Sequence, residues 1–91
     1  MRRTIWKYTL AESAGQLRNC IPLTVPEDTT FLSVGKQRGV YVVWADVDPS
    51  SLPVTRTILV RGTGHPFDGT ESQFLGSIQD LNETFVTHFF A

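Results

Sequence analysis

Along most of this chain, apolar and polar side chains alternate with a period of two, broken by glycine, proline and acid-rich clusters. Residues 4–10 set Trp6, Tyr8 and Leu10 against Ile5, Lys7 and Thr9, which predicts a half-buried strand. Residues 30–36 and 40–47 predict a hairpin turning at Gln37-Arg38-Gly39, with Gly39 supplying the left-handed backbone such a turn wants. Its second arm, Val40-Tyr41-Val42-Val43-Trp44-Ala45, is apolar on both faces and therefore reads as a central strand covered on each side. In so small a protein the second cover must be a helix, a second sheet or another subunit, which argues for a homo-oligomer. Residues 54–61 alternate again, with Val54, Arg56, Ile58 and Val60 on one face. Residues 74–78 and 84–90 give the last two strands, joined through Asp80-Leu81-Asn82. The segment 21–26 has proline near each end and is at most a short edge strand. Residues 11–19 are the one plausible helical piece, weakened by Gly15 in its middle; a loop with a single helical turn is the alternative. The predicted fold is a mostly β, compact antiparallel sandwich or small barrel of five to six strands with at most one short helix.

Composition narrows the function classes. Ninety-one residues make one domain, and a chain this short buries only ~60–65% of its unfolded surface. A formal net charge of -1 argues against a dedicated nucleic-acid binder, which is usually strongly basic. A single cysteine, Cys20, excludes an intramolecular disulfide and a cysteine-rich zinc site. Lys7 interrupts the apolar residues that follow Arg2 and Arg3, so no signal peptide is expected, and no segment is apolar for long enough to cross a membrane as a helix. Asn82-Glu83-Thr84 matches a glycosylation sequon that has no use without secretion.

The densest chemistry lies in Arg61-Gly62-Thr63-Gly64-His65-Pro66, just past a predicted strand end. Two glycines allow a sharp bend with bare amide groups, and Arg61, Thr63 and His65 add donors suited to an anion. The alternative is a structural loop in which the glycines serve unusual backbone angles. No Gly-Lys-Ser/Thr follows and no helix follows, so this is neither a P-loop nor a dinucleotide fingerprint. Trp6 with Arg56 or Arg61 would suit a nucleobase stacked beside its phosphate, whereas Tyr8 and Trp44 are expected in the core. His65 and His88 lack ligand spacing, so pairing with Asp68 or Asp46 around a metal is disfavoured and no metal or cofactor is expected. His88 alternates with Val86 and Phe90 and so reads as a core or interface histidine. Asp46 and Asp48 share a strand face, Ser50 and Ser51 sit in a turn, and no constellation meets the geometric demands of an enzyme.

Four blocks, Trp6-Lys7-Tyr8-x-Leu10, Trp44-Ala45-Asp46-Val47-Asp48-Pro49, Gly62-Thr63-Gly64-His65-Pro66 and the aromatic end His88-Phe89-Phe90, resemble a family of small bacteriophage and prophage proteins without an assigned activity. Relatives tend to end in Trp-His-x-Phe-Glu, from which Val86-Thr87-His88-Phe89-Phe90-Ala91 departs. The resemblance implies a phage origin and a location in the host cytoplasm. Three functions are carried forward. The first is non-catalytic sequestration of a small anionic ligand, such as a nucleotide signal of host anti-phage defence, at Arg61, Gly62, Thr63, Gly64, His65, Trp6 and Arg56. The second is a protein–protein module that inhibits a host protein or serves phage assembly. The third is a small hydrolase using His65 with an acid.

Overall fold

Each alternating segment becomes a strand, and the proline-bounded segment adds one more. The computed structural model describes residues 2–66, 73–80 and 85–91. Seven strands run β1 (Thr4–Ala11), β2 (Cys20–Pro26), β3 (Thr30–Gln37), β4 (Val40–Val47), β5 (Pro53–Gly62), β6 (Phe74–Asp80) and β7 (Phe85–Phe90). They form two antiparallel sheets, of order β1-β4-β3 and β2-β5-β7-β6, and the expected sandwich is thereby settled over a barrel. Residues 11–19 hold only a three-residue 3-10 turn, Ala14–Gln16, in keeping with the loop alternative rather than the helix. No helix among the described residues is long and apolar enough to cross a membrane. The segment read as a short edge strand at most is a full seven-residue strand, paired from Cys20↔Leu59 to Pro26↔Pro53. It is indeed an edge strand, where a missing amide proton is tolerated on the unpaired side.

The hairpin turn is tighter than expected. Gln37 pairs with Val40 inside the ladder, leaving Arg38 and Gly39 as a two-residue loop. Both have positive φ, 51° and 82°, as a type I′ hairpin turn requires. Arg38 thus takes a conformation that glycine would adopt more cheaply.

The core lies between the sheets. Tyr41, Val43, Ala45 and Val47 of β4 face Ile58 and Val60 of β5 and Phe89 of β7. β4 is central, as its two-sided apolar pattern predicts, but its outer face is covered by the chain itself. Val42 is only 1% exposed. Lys7 stands opposite Trp44 on one side of β4 and Gln37 opposite Val40 on the other; their hydrogen bond, Nζ to Oε1 at 2.9 Å, crosses above Val42. The Trp44 ring lies over Gly35, where a Cβ would come within 2.7 Å of it. Trp44 is therefore not a core residue: it is a half-buried lid on the outer face. Tyr8 does pack against the core, from β1.

Asp46 and Asp48 do not share a strand face, because β4 ends at Val47. Asp46 pairs with Arg3 at 2.7 Å, while buried Asp48 accepts from Ser50 Oγ at 2.7 Å and from the Ser50 amide at 3.0 Å. Those Ser50 bonds, the hydroxyl first, hold the Asp48 carboxyl below its usual range against the opposing effect of burial. The glycosylation sequon and Asp68 lie outside the described residues.

Candidate functional site

The Gly62-Thr63-Gly64-His65 bend is a turn closed by the His65 amide donating to the Gly62 carbonyl at 3.1 Å. Gly64 occupies its third position with φ +84°, the requirement of a type II turn. Two residues earlier, the Thr63 amide donates to the Val86 carbonyl at 3.3 Å and extends the β5–β7 ladder. Two of the amides expected to cradle an anion are therefore spent on the turn and the sheet.

Register decides which side chains those are. Arg61 of β5, His88 of β7 and Ser77 of β6 are direct cross-strand partners, so they form one row on one face of the sheet. That face is the outer one, since Phe89, the neighbour of His88, is fully buried toward the core. The next row along the strands is Leu59, Phe90 and Phe74, also paired directly. The Phe74 and Phe90 rings sit 5.4 Å apart between centroids, and Phe74 is largely exposed. A row of polar groups thus runs beside a row of rings, about 7 Å away along the strands.

His88 is the centre of the polar row. Its Nδ1 lies 2.7 Å from Ser77 Oγ and its Nε2 lies 2.8 Å from Thr63 Oγ1. Arg61 Nη1 donates to the carbonyls of Asn19 at 3.0 Å and Val60 at 2.9 Å, which tethers the guanidinium beside the bend. The His65 ring packs on Gly62, where a Cβ would meet it at 2.9 Å; this close approach is what the first glycine permits. Residues 61–65, His88 and Phe90 together line a surface concavity of about 310 Å³. The two histidines, far apart in sequence, meet around it. Of the two expectations for His88, core or interface, the core is excluded: Val86, His88 and Phe90 do share a face, but it is the outer one.

Two of the expected ligand residues lie elsewhere. Trp6 is on β1 of the other sheet, paired with Ala45, with its ring edge-on to Tyr8 at 6.5 Å. Arg56 is six residues back along β5, roughly 20 Å from the bend by strand rise. There its Nη1 donates to the Thr29 carbonyl at 3.2 Å and its guanidinium lies 5.2 Å from the Phe31 ring centroid. Their places are taken by Phe90, Phe74, His88 and Ser77. The signal for them was the same alternation in β6 and β7, but the inward or outward sense was legible only through Phe89.

The other side of the bend opens into a second cavity, about 780 Å³, between the sheets, whose walls include His65, Leu17, Val60 and Phe85. Tyr41 and Asp80 close its inner end. Asp80 accepts hydrogen bonds from the Tyr41 hydroxyl and from Lys36 Nζ, and the Lys36 ammonium lies 5.2 Å from the Tyr41 ring centroid. Burial, followed by the Asp80 hydrogen bond and its charge, pushes the Tyr41 hydroxyl up to about 12. Burial also acts to raise Asp80, but the bonds from Lys36 and Tyr41 outweigh it and hold the carboxyl below its ordinary value. The acid that shares this cavity with His65 among the described residues is thus already committed to two internal donors. Among the described residues, no three histidine, cysteine, aspartate or glutamate side chains gather as a metal site.

The chain belongs to the family described as a domain of unknown function, DUF7352, which matches residues 1–91. No curated protein and no solved structure matches it.

Proposed function

We propose that this DUF7352 protein binds a small anion carrying a flat ring, of the nucleotide class, on the outer face of its four-stranded sheet. The observation that carries this reading is the juxtaposition of the Arg61–His88 row with the Phe90–Phe74 row. Arg61 and His65 present donors to a phosphate. Phe90 offers a face on which any base stacks, a mode that tolerates many ring systems. The separation of the rows is of the order of that between a mononucleotide's phosphate and its base. With the Thr63 and His65 amides engaged, binding rests mainly on side chains and is modest in affinity. Holding the ligand without turnover makes the protein a sequestering agent. In a phage-infected host cytoplasm, that role is removal of a nucleotide signal of anti-phage defence.

Isothermal titration calorimetry and native mass spectrometry against mononucleotides, cyclic nucleotides and inorganic phosphate test this directly. The expected result is a stoichiometric complex with at least one nucleotide, bound more tightly than phosphate alone. Arg61→Ala weakens it roughly ten- to a hundredfold through loss of charge-assisted bonds, and Phe90→Ala by a comparable factor through loss of stacking. A panel with no heat and no complex removes the reading.

A further inference from the structure

We infer that Ser77 is a nucleophile activated by His88, able to take an acyl or phosphonyl group from a small electrophile on the same outer face. The argument is a hydrogen count. Thr63 Oγ1 has one hydrogen, and besides His88 its neighbour is the Val86 carbonyl at 3.4 Å, which can only accept. Ser77 Oγ has one hydrogen, and among the described residues its one partner is His88 Nδ1 at 2.7 Å. A neutral imidazole has one donor nitrogen and one acceptor nitrogen. Only one tautomer uses all three contacts: Ser77 O–H to Nδ1, Nε2–H to Thr63 Oγ1, and Thr63 O–H to the Val86 carbonyl. In that tautomer the basic lone pair of His88 points at the hydroxyl of Ser77, and Thr63 orients the ring from behind. This is the arrangement that nucleophilic catalysis requires of a base and its serine. Ser77 is exposed, so a reagent reaches it.

The chemistry balances within these groups. Ser77 Oγ attacks the carbonyl carbon of an ester while its proton passes to His88 Nδ1. The bond to the alcohol breaks, and that alcohol leaves with the proton from Nδ1. Water, deprotonated at the same nitrogen, then cleaves the acyl-serine and restores the hydroxyl. Arg61 lies two strands from Ser77, about 10 Å across the sheet. The matching substrate class is a small ester whose phosphate or carboxylate lies that far from its carbonyl. This substrate class rests on the proposed anion site, whereas the reactivity of Ser77 does not.

The test uses an uncharged alkyl fluorophosphonate, which forms an Oγ–P bond, releases fluoride and needs no anion recognition. The intact protein is expected to gain one adduct, mapped by peptide mass spectrometry to Ser77 and absent from Ser77→Ala. His88→Gln slows labelling about a hundredfold, the usual contribution of a positioned base. Thr63→Val, which keeps both reacting groups and removes the acceptor of the Nε2 proton, slows it as well. Circular dichroism of each variant confirms the β-fold. No adduct on Ser77 in the wild-type chain, or equal rates in folded His88→Gln, overturns the inference. Either result leaves the nucleotide titrations standing, and failure of those titrations leaves this labelling interpretable.

Discussion

Two polar clusters, each bridging several strands, sit on opposite faces of the same sheet and behave as opposites. Inside, Lys36, Tyr41 and Asp80 link β3, β4 and β6, with the Asp80 carboxylate almost wholly buried between two donors. Outside, Thr63, His88 and Ser77 link the β5 end, β7 and β6 through hydrogen bonds at the surface. For the buried Tyr41 hydroxyl and Asp80 carboxylate, an unmade bond is not repaired by water, so their mutual bond is structurally obligatory, while Lys36 reaches in from an exposed position. On the outer face, water replaces any bond that is lost, so the residues are free to be chosen for what they contact. The same sheet therefore separates a polar group that holds the fold from one that is available for chemistry.

The sharpest way to break this comparison is Asp80→Ala. It leaves the Tyr41 hydroxyl buried without an acceptor and Lys36 without its carboxylate, and is expected to cost about 3 kcal/mol in urea denaturation. A loss near zero would place the interior cluster on the same footing as the outer one. Next in size is the alkaline limb of the stability curve. The folded Tyr41 titrates near 12, against about 10 in the unfolded chain, so the folded state binds the extra proton between those values. Its contribution is complete below about pH 10 and is lost as pH rises toward about 12. Tyr41→Phe should remove that part of the alkaline slope and cost about 1–2 kcal/mol at neutral pH. Stability curves that superimpose above pH 10 would show Tyr41 uncoupled from folding.

Smaller effects are expected outside. His88→Ala should change stability by less than about 0.5 kcal/mol while abolishing Ser77 labelling. A destabilisation as large as that of Asp80→Ala would make His88 a structural residue. Gly62→Ala sharpens the comparison furthest, because its added Cβ meets only the exposed His65 ring, at 2.9 Å. The fold should survive with little loss, as the ring swings aside, while nucleotide affinity falls a few fold. Unchanged affinity would remove His65 from the proposed site.

Much of the fold could be read from local chemistry. Apolar patterning located every strand but β2, which reads as at most a short edge strand, and positive-φ demands located the bends at Gly39 and Gly64. What misled was the sense of each face. Trp44 read as core because it is large, yet it lies outward over Gly35, and a missing Cβ two strand positions of pairing away cannot be inferred from either residue alone. That Arg56 and Arg61 lie on opposite faces of β5 was legible from their odd spacing; that Arg56 is held at the Thr29 carbonyl, far from the bend, was not.

The sequence alone determined which segments are extended and where the chain turns, since period-two patterning and glycine conformations are properties of neighbours. It also determined that Arg61, Thr63 and His65 stay together, within one turn of chain. Tertiary structure alone decided that His88 joins them from 25 residues beyond Thr63, with Ser77 on its far side. A one-residue slip in β7 would have turned His88 inward and left Phe89 in water. Register is set by the burial of that phenylalanine, and so the outer site is a consequence of how the core packs.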